Sequence, residues 1–165
     1  MGKTKDLNRE IVNIPSLISD YYTLKPNIED KTNKVAFGTS GHRGSSKKNS
    51  FNEEHIVAIA QAVVEHRTKE GVTGPLFIGA DTHALSEPAL RRCVEVLAAA
   101  GVEIILYNDF DPVPTPVVSR IILNHNHDPK NKTKQADGLV ITPSHNPPTD
   151  GGIKYDPTTG GPASK

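Results

Sequence analysis

The sequence predicts an α/β fold, a mostly parallel sheet with helices on both faces. Two observations predict it. Short apolar runs alternate with longer segments whose apolar residues recur at helical spacing. Those short runs are apolar throughout, as strands covered on both sides must be.

The elements follow in order. Residues 1–34 read as a polar N-terminal extension with one short helix, because Ile11, Ile14 and Ile18 fall at helical spacing and Pro15 suits a first turn. Residues 25–34 read as loop, and residues 35–165 as the α/β domain. Val35-Ala36-Phe37 is an apolar run that ends in a Gly-rich loop. Asn52 offers an N-cap, Glu53 and Glu54 complement the helix dipole, and Ile56, Ile59, Ala60, Val63 and Val64 carry a helix towards Gly71. Leu76-Phe77-Ile78 reads as a buried strand, closed by Gly79 and Asp81. Ser86 caps the next helix, with Pro88 in its first turn, an apolar face including Leu90, Cys93 and Leu97, and Gly101 at its end. Val102 to Tyr107 form a second strand, and Asp111-Pro112-Val113-Pro114 a stiff turn. Thr115 then serves as N-cap and Pro116 as first helical residue before Val117, Val118, Ile121 and Ile122. A polar loop covers residues 124–134, and Gly138-Leu139-Val140-Ile141 is a third strand.

Composition narrows the functional classes. The chain has 165 residues, 13 Gly, 13 Pro, one Cys, and 19 basic against 19 acidic side chains. That length suits one domain burying about two-thirds of its unfolded surface. Zero net charge supplies no overall field for nucleic acid or an anionic membrane, and neither partner is expected. No apolar stretch reaches the roughly 20 residues of a membrane helix. The N-terminus lacks a secretory core, and Asp6 breaks a myristoylation pattern. A lone Cys93 cannot form an internal disulfide, so the cytoplasm is the expected compartment.

In open α/β sheets, ligands bind beyond the carboxyl ends of strands, where two unusual loops are expected. The first, Gly38-Thr39-Ser40-Gly41-His42-Arg43-Gly44, joins glycines that let amide groups approach an anion to a guanidinium that can grip two phosphate oxygens. An ordinary flexible turn explains the same glycines, and Arg43 tilts the reading towards phosphate. The second, Thr142-Pro143-Ser144-His145-Asn146-Pro147-Pro148, holds a hydroxyl between prolines, which fix where it points. A rigid loop with a capping Ser is the alternative. Neither loop is a Walker loop, a dinucleotide fingerprint or a nucleophile elbow.

Together these residues resemble the α-D-phosphohexomutase family. Thr142-Pro143-Ser144-His145-Asn146-Pro147, with Lys154 ten residues after Ser144, is similar to its phosphoserine loop, and the Gly38–Gly44 run to its amino-terminal phosphate-contacting signature. Gly79-Ala80-Asp81-Thr82-His83-Ala84-Leu85-Ser86 and Asp150-Gly151-Gly152-Ile153-Lys154-Tyr155 look most like the glucose-specific bacterial members. Pro143 stands where the family usually has Ala, a departure that leaves the hydroxyl in place.

The resemblance implies that Ser144 carries a phosphoryl group and donates it to glucose 1-phosphate or glucose 6-phosphate. The glucose 1,6-bisphosphate so formed reorients and returns its other phosphoryl group. Lys154 and His145 would move protons and stabilise charge, with Arg43 at the phosphoserine. Thr39, Ser40, His42, Arg43 and Asn146 would bind phosphate. Mg²⁺ would sit on Ser144 through its phosphate, together with three aspartates of an Asp-Gly-Asp-Gly-Asp-Arg type loop. This sequence has no such run, nor the sugar-recognition loop and carboxy-terminal phosphate-binding domain. The chain is therefore expected to be most of the first of four domains, to need the missing domains as partners, and to be inactive alone. A non-catalytic sugar-phosphate or anion-binding module is the rival. Ser144 with Lys154 favours the enzyme, and the missing aspartates favour the module for this chain taken alone.

Other signals carry less. His125-Asn126-His127-Asp128 lacks further ligands nearby, and Lys130, Lys132 and Lys134 lack interleaved aromatics for stacking bases. Cys93 falls on an apolar helix face. Asp81, Asp109 and Asp111 follow strands, where capping and turn roles compete with ligand roles.

Overall fold

The computed structural model describes residues 11–38, 41–107, 111–161 and 163; Thr39, Ser40 and Asp109 lie outside them. Helix α1 spans Ile14–Thr23, with Pro15 in its first turn and the Asn13 side chain accepting from the Ser16 amide at 3.0 Å. Strand β1 (His42–Ser45) precedes α2 (Glu53–Glu70), β2 (Leu76–Ala80), α3 (Ser86–Ala99) and β3 (Ile104–Leu106). Then come α4 (Thr115–His127), β4 (Asp137–Ile141) and β5 (Asp150–Asp156).

The sheet runs β1-β5-β4-β2-β3. Its centre is parallel, with β2 paired to both β3 and β4. β5 then runs antiparallel to β4 and to β1, so two antiparallel strands extend the parallel core on one side. Period-two alternation splits each central strand between two cores. Leu76, Ile78, Leu139 and Ile141 pack with α2, α3 and the buried Leu17 and Tyr21 of α1. Phe77 and Val140 pack with Val118 and Ile122 of α4 on the other face. Helices thus cover both faces. Each fully buried Leu or Ile contributes about 1.5–3 kcal/mol relative to exposure.

Local details depart from the sequence reading. Val35-Ala36-Phe37 forms no strand and is exposed, whereas His42–Ser45 in the expected loop is strand β1. Ser86 is inside α3 and gives its hydroxyl to Asp81 (2.6 Å) instead of capping, while Leu85 takes the N-cap position. α4 likewise starts at Thr115 without a side-chain cap. It also runs on to His127 through the expected polar loop, where Asn126 is held by Ala136 and Thr158. Cys93 is fully buried, and burial pushes its thiol up to about 12. Among the described residues, no helix is long and apolar enough to cross a membrane.

Candidate functional site

Strand register builds the site. Along β5, Ile153 lies opposite Ile141 of β4 and His42 of β1, while Arg43 lies opposite Gly152. Side chains alternate between faces, so His42 and Ile153 turn into the core, and Arg43 and Lys154 share the opposite face. Two glycines allow the close approach. At Gly152 a Cβ would strike the Thr142 carbonyl oxygen and stand 2.7 Å from the Pro143 Cα. Gly41 has φ +100°, and its Cβ would collide with the Ile153 carbonyl.

Against this face, just past the carboxyl end of β4, stands Ser144. Its hydroxyl oxygen lies 3.0 Å from Lys154 Nζ and 3.3 Å from Arg43 Nη2, and both cations donate to it. Ser144 adopts the left-handed conformation (φ +66°), which costs a non-glycine residue about 1–2 kcal/mol. Its backbone N–H compensates in part by donating to Thr142 Oγ1 at 2.9 Å. The hydroxyl is therefore presented outward, at an exposed position, by a buried Thr142-Pro143 step.

Two cations thus converge on one neutral oxygen. Burial lowers the proton affinity of Lys154, and the Arg43 guanidinium lowers it further; Asp156 and Asp81 offset part of this. An anion on Ser144 Oγ would be met by both cations, and a phosphoryl group fits their donors.

The other expected site residues divide. His145 is exposed beside Ser144. His42 is a correction: strand alternation buries it, its Nε2 lies 2.8 Å from the Ser50 carbonyl, and its ring stacks near Phe51 and His55. Burial lowers its proton affinity, so it supports the core as a neutral ring and is not turned to a phosphate. Asn146 donates its amide nitrogen to Asp150 (3.0 Å), which fastens the loop to the start of β5. Thr39 and Ser40 lie outside the described residues.

Sequence analysis left Asp81 between ligand and capping roles, and in the structure it holds its own turn, while the part played by His83 went unnoticed. Asp81 accepts from Ser86 Oγ (2.6 Å), from the His83 amide (2.9 Å) and through Oδ2 from His83 Nδ1 (2.8 Å). Burial raises its proton affinity, but hydrogen bonds from Ser86, Thr142 and His83 outweigh that and hold the carboxyl below its usual range. A signal was present, namely an Asp directly after a buried strand and two residues before a His.

Residues 34–165 match the family described as phosphoglucomutase/phosphomannomutase, alpha/beta/alpha domain I. The chain belongs to this family. It is 56% identical over 162 residues to a phosphoglucomutase of Komagataeibacter xylinus, covering 98% of this chain and 29% of that protein. It is 35% identical over 124 residues to a phosphoglucosamine mutase of Francisella philomiragia, covering 75% of this chain and 26% of the relative. The fold matches the open form of Paramecium parafusin, a phosphoglucomutase, with TM-score 0.66 and 23% identity over 86% of this chain and 24% of that one. A phosphoglucomutase/phosphomannomutase family protein of Burkholderia thailandensis matches with TM-score 0.64 and 20% identity, over 80% of this chain and 28% of that one. The chain thus spans under a third of these relatives' lengths.

Membership of the phosphoglucomutase/phosphomannomutase family implies use of Mg²⁺, but the donors here do not fit that ion. No group of three His, Cys, Asp or Glu able to hold a metal occurs among the described residues. The side-chain donors on Ser144 Oγ are cations, and the nearby Asp81 and Asp150 carboxylates are engaged by His83, Ser86 and Asn146.

Proposed function

We propose that this chain is the phosphoserine-bearing domain of a phosphoglucomutase, with Ser144 as the phosphoryl carrier. The convergence of Arg43 and Lys154 on Ser144 Oγ carries this reading. In the donating step, a hydroxyl of glucose 1-phosphate or glucose 6-phosphate attacks the phosphorus. The new P–O bond forms as the P–Oγ bond breaks. Ser144 Oγ leaves with the bonding pair and takes a proton from the Lys154 ammonium, while the attacking hydroxyl gives its proton to a base. His145, exposed beside Ser144, is the group we assign to that side. Arg43 stays charged throughout and stabilises the phosphoryl oxygens. The reverse step uses the same groups and returns the other phosphoryl group of glucose 1,6-bisphosphate to Ser144. Catalysis of this kind is mostly positioning and charge stabilisation, which the site supplies. A Mg²⁺ on the phosphoserine would need carboxylates from outside the described residues, and full turnover would need further domains of a longer chain. The cytoplasm is the compartment we propose, on the single cysteine.

Intact mass after incubation of the full-length protein with glucose 1,6-bisphosphate tests this. One added phosphoryl group is expected, and it should vanish in Ser144→Ala. A non-catalytic anion-binding module would bind the bisphosphate without any covalent gain, and that result would overturn the reading.

A further inference from the structure

The backbone on both sides of Ser144 is tied to one acidic residue of a different turn. On the amino side, the Ser144 N–H donates to Thr142 Oγ1 at 2.9 Å, and the Thr142 side chain lowers the proton affinity of the Asp81 carboxylate. On the carboxyl side, the Asn146 carbonyl lies 3.2 Å from His83 Nε2, and His83 Nδ1 lies 2.8 Å from Asp81 Oδ2. The ring thus bridges Asp81 Oδ2 and the Asn146 carbonyl oxygen. Asp81 is itself fixed, because its Oδ1 accepts from Ser86 Oγ at the start of α3 and its backbone N–H donates to the Ile141 carbonyl at 3.0 Å. The β2–α3 turn and the end of β4 are thereby locked together directly beneath the exposed hydroxyl.

We infer that Asp81, His83 and Thr142 are positioning residues, a clamp that holds Ser144 in its left-handed conformation and aims Oγ between Arg43 and Lys154. The physical need is plain. A left-handed serine relaxes towards an extended or right-handed backbone unless its neighbours over-determine it. Such a relaxation swings Oγ away from two cations set on other strands, and misplacement of about 1 Å costs on the order of 10²-fold in rate. Prolines at 143, 147 and 148 stiffen the loop but leave the dihedrals of Ser144 itself free. The clamp supplies what the prolines cannot.

The decisive pair is Thr142→Val against Thr142→Ser. Valine keeps the shape and loses the acceptor for the Ser144 N–H, whereas serine keeps the hydroxyl. The first readout is amide exchange at Ser144 in this chain, which needs no activity and so stands even if the mutase reading fails. Exchange should quicken about tenfold in Thr142→Val and stay within about twofold of the parent in Thr142→Ser. The second readout rests on the proposed function and uses the full-length enzyme. There, kcat for glucose 1-phosphate should fall at least about tenfold in Thr142→Val and in His83→Ala, with KM within about threefold, and Thr142→Ser should recover kcat. Unchanged exchange at Ser144 in Thr142→Val overturns the clamp, as does a serine variant as impaired as the valine one. A parent enzyme without mutase activity but with the expected exchange pattern overturns the functional reading alone. Should His83→Ala fail to fold, the two Thr142 variants still decide.

Discussion

Strand β4 has ionic chemistry at both of its ends, and the two ends are built on opposite rules. At its start, Asp137 is wholly buried and accepts from Arg67 Nη1 and, at 2.7 Å, from Tyr155 Oη. The second guanidinium nitrogen of Arg67 donates to the Gly74 carbonyl, so α2, β4 and β5 are tied by a charge pair with its partners in place. Past its other end, Arg43 and Lys154 both donate to one serine hydroxyl. A buried pair of opposite charges serves the fold; two like charges brought together on one hydroxyl suit an anionic ligand. The contrast separates structural from functional charge within one sheet.

The largest effect should come from breaking the matched end. Asp137→Ala leaves the Arg67 guanidinium buried without its carboxylate, and about 3–5 kcal/mol of stability should go, read as a lower urea midpoint at unchanged slope. A loss below about 1 kcal/mol would show that water or rearrangement satisfies Arg67, and the contrast would fail at its structural end. Next comes the cationic end. Lys154→Met should slow phosphoryl transfer at Ser144 in the full-length enzyme by roughly 10²–10³-fold, as loss of one preorganised donor does. Its stability should hold within about 1 kcal/mol of the parent, because the ammonium removed faced a like charge. If Lys154→Met unfolds the chain as readily as Asp137→Ala, the cations at Ser144 are structural after all.

What the sequence disclosed follows the same division. The runs Leu76-Phe77-Ile78 and Leu139-Val140-Ile141 were legible because central strands are apolar on both faces, and a continuous run has few other meanings. β1 was not legible. His42-Arg43-Gly44-Ser45 has no apolar pattern, and its strand identity comes from pairing with β5, over a hundred residues away. Reading it as a loop made His42 look available for phosphate, whereas the register turns it into the core. Ser144, Arg43 and Lys154 were found through motif resemblance, which records residue type and spacing. The link from Asp81 and His83 to the Ser144 loop escaped because Thr142 and Asn146 are some sixty residues distant and are met through backbone groups as much as side chains.

The smallest effect is the most discriminating, because it measures the action of Arg43 on Lys154 itself. Burial and the Arg43 guanidinium together hold Lys154 below the ordinary lysine range. A lysine whose folded value is lowered binds its proton less tightly folded than unfolded. Between the two values the unfolded state holds more protons, so Lys154 makes stability rise with pH across that alkaline window. Titration of Lys154 by NMR in the unphosphorylated chain should therefore show a midpoint below that of a free lysine side chain. Arg43→Gln should move it upward by removing a positive neighbour, and the alkaline rise in stability should shrink with it. Phosphorylation of Ser144 should also move it upward, since a dianion beside the ammonium favours the charged form. A midpoint that ignores both changes would mean that Arg43 and Lys154 do not sense one another across Ser144, and the site would then be two separate surface cations with no anion to share.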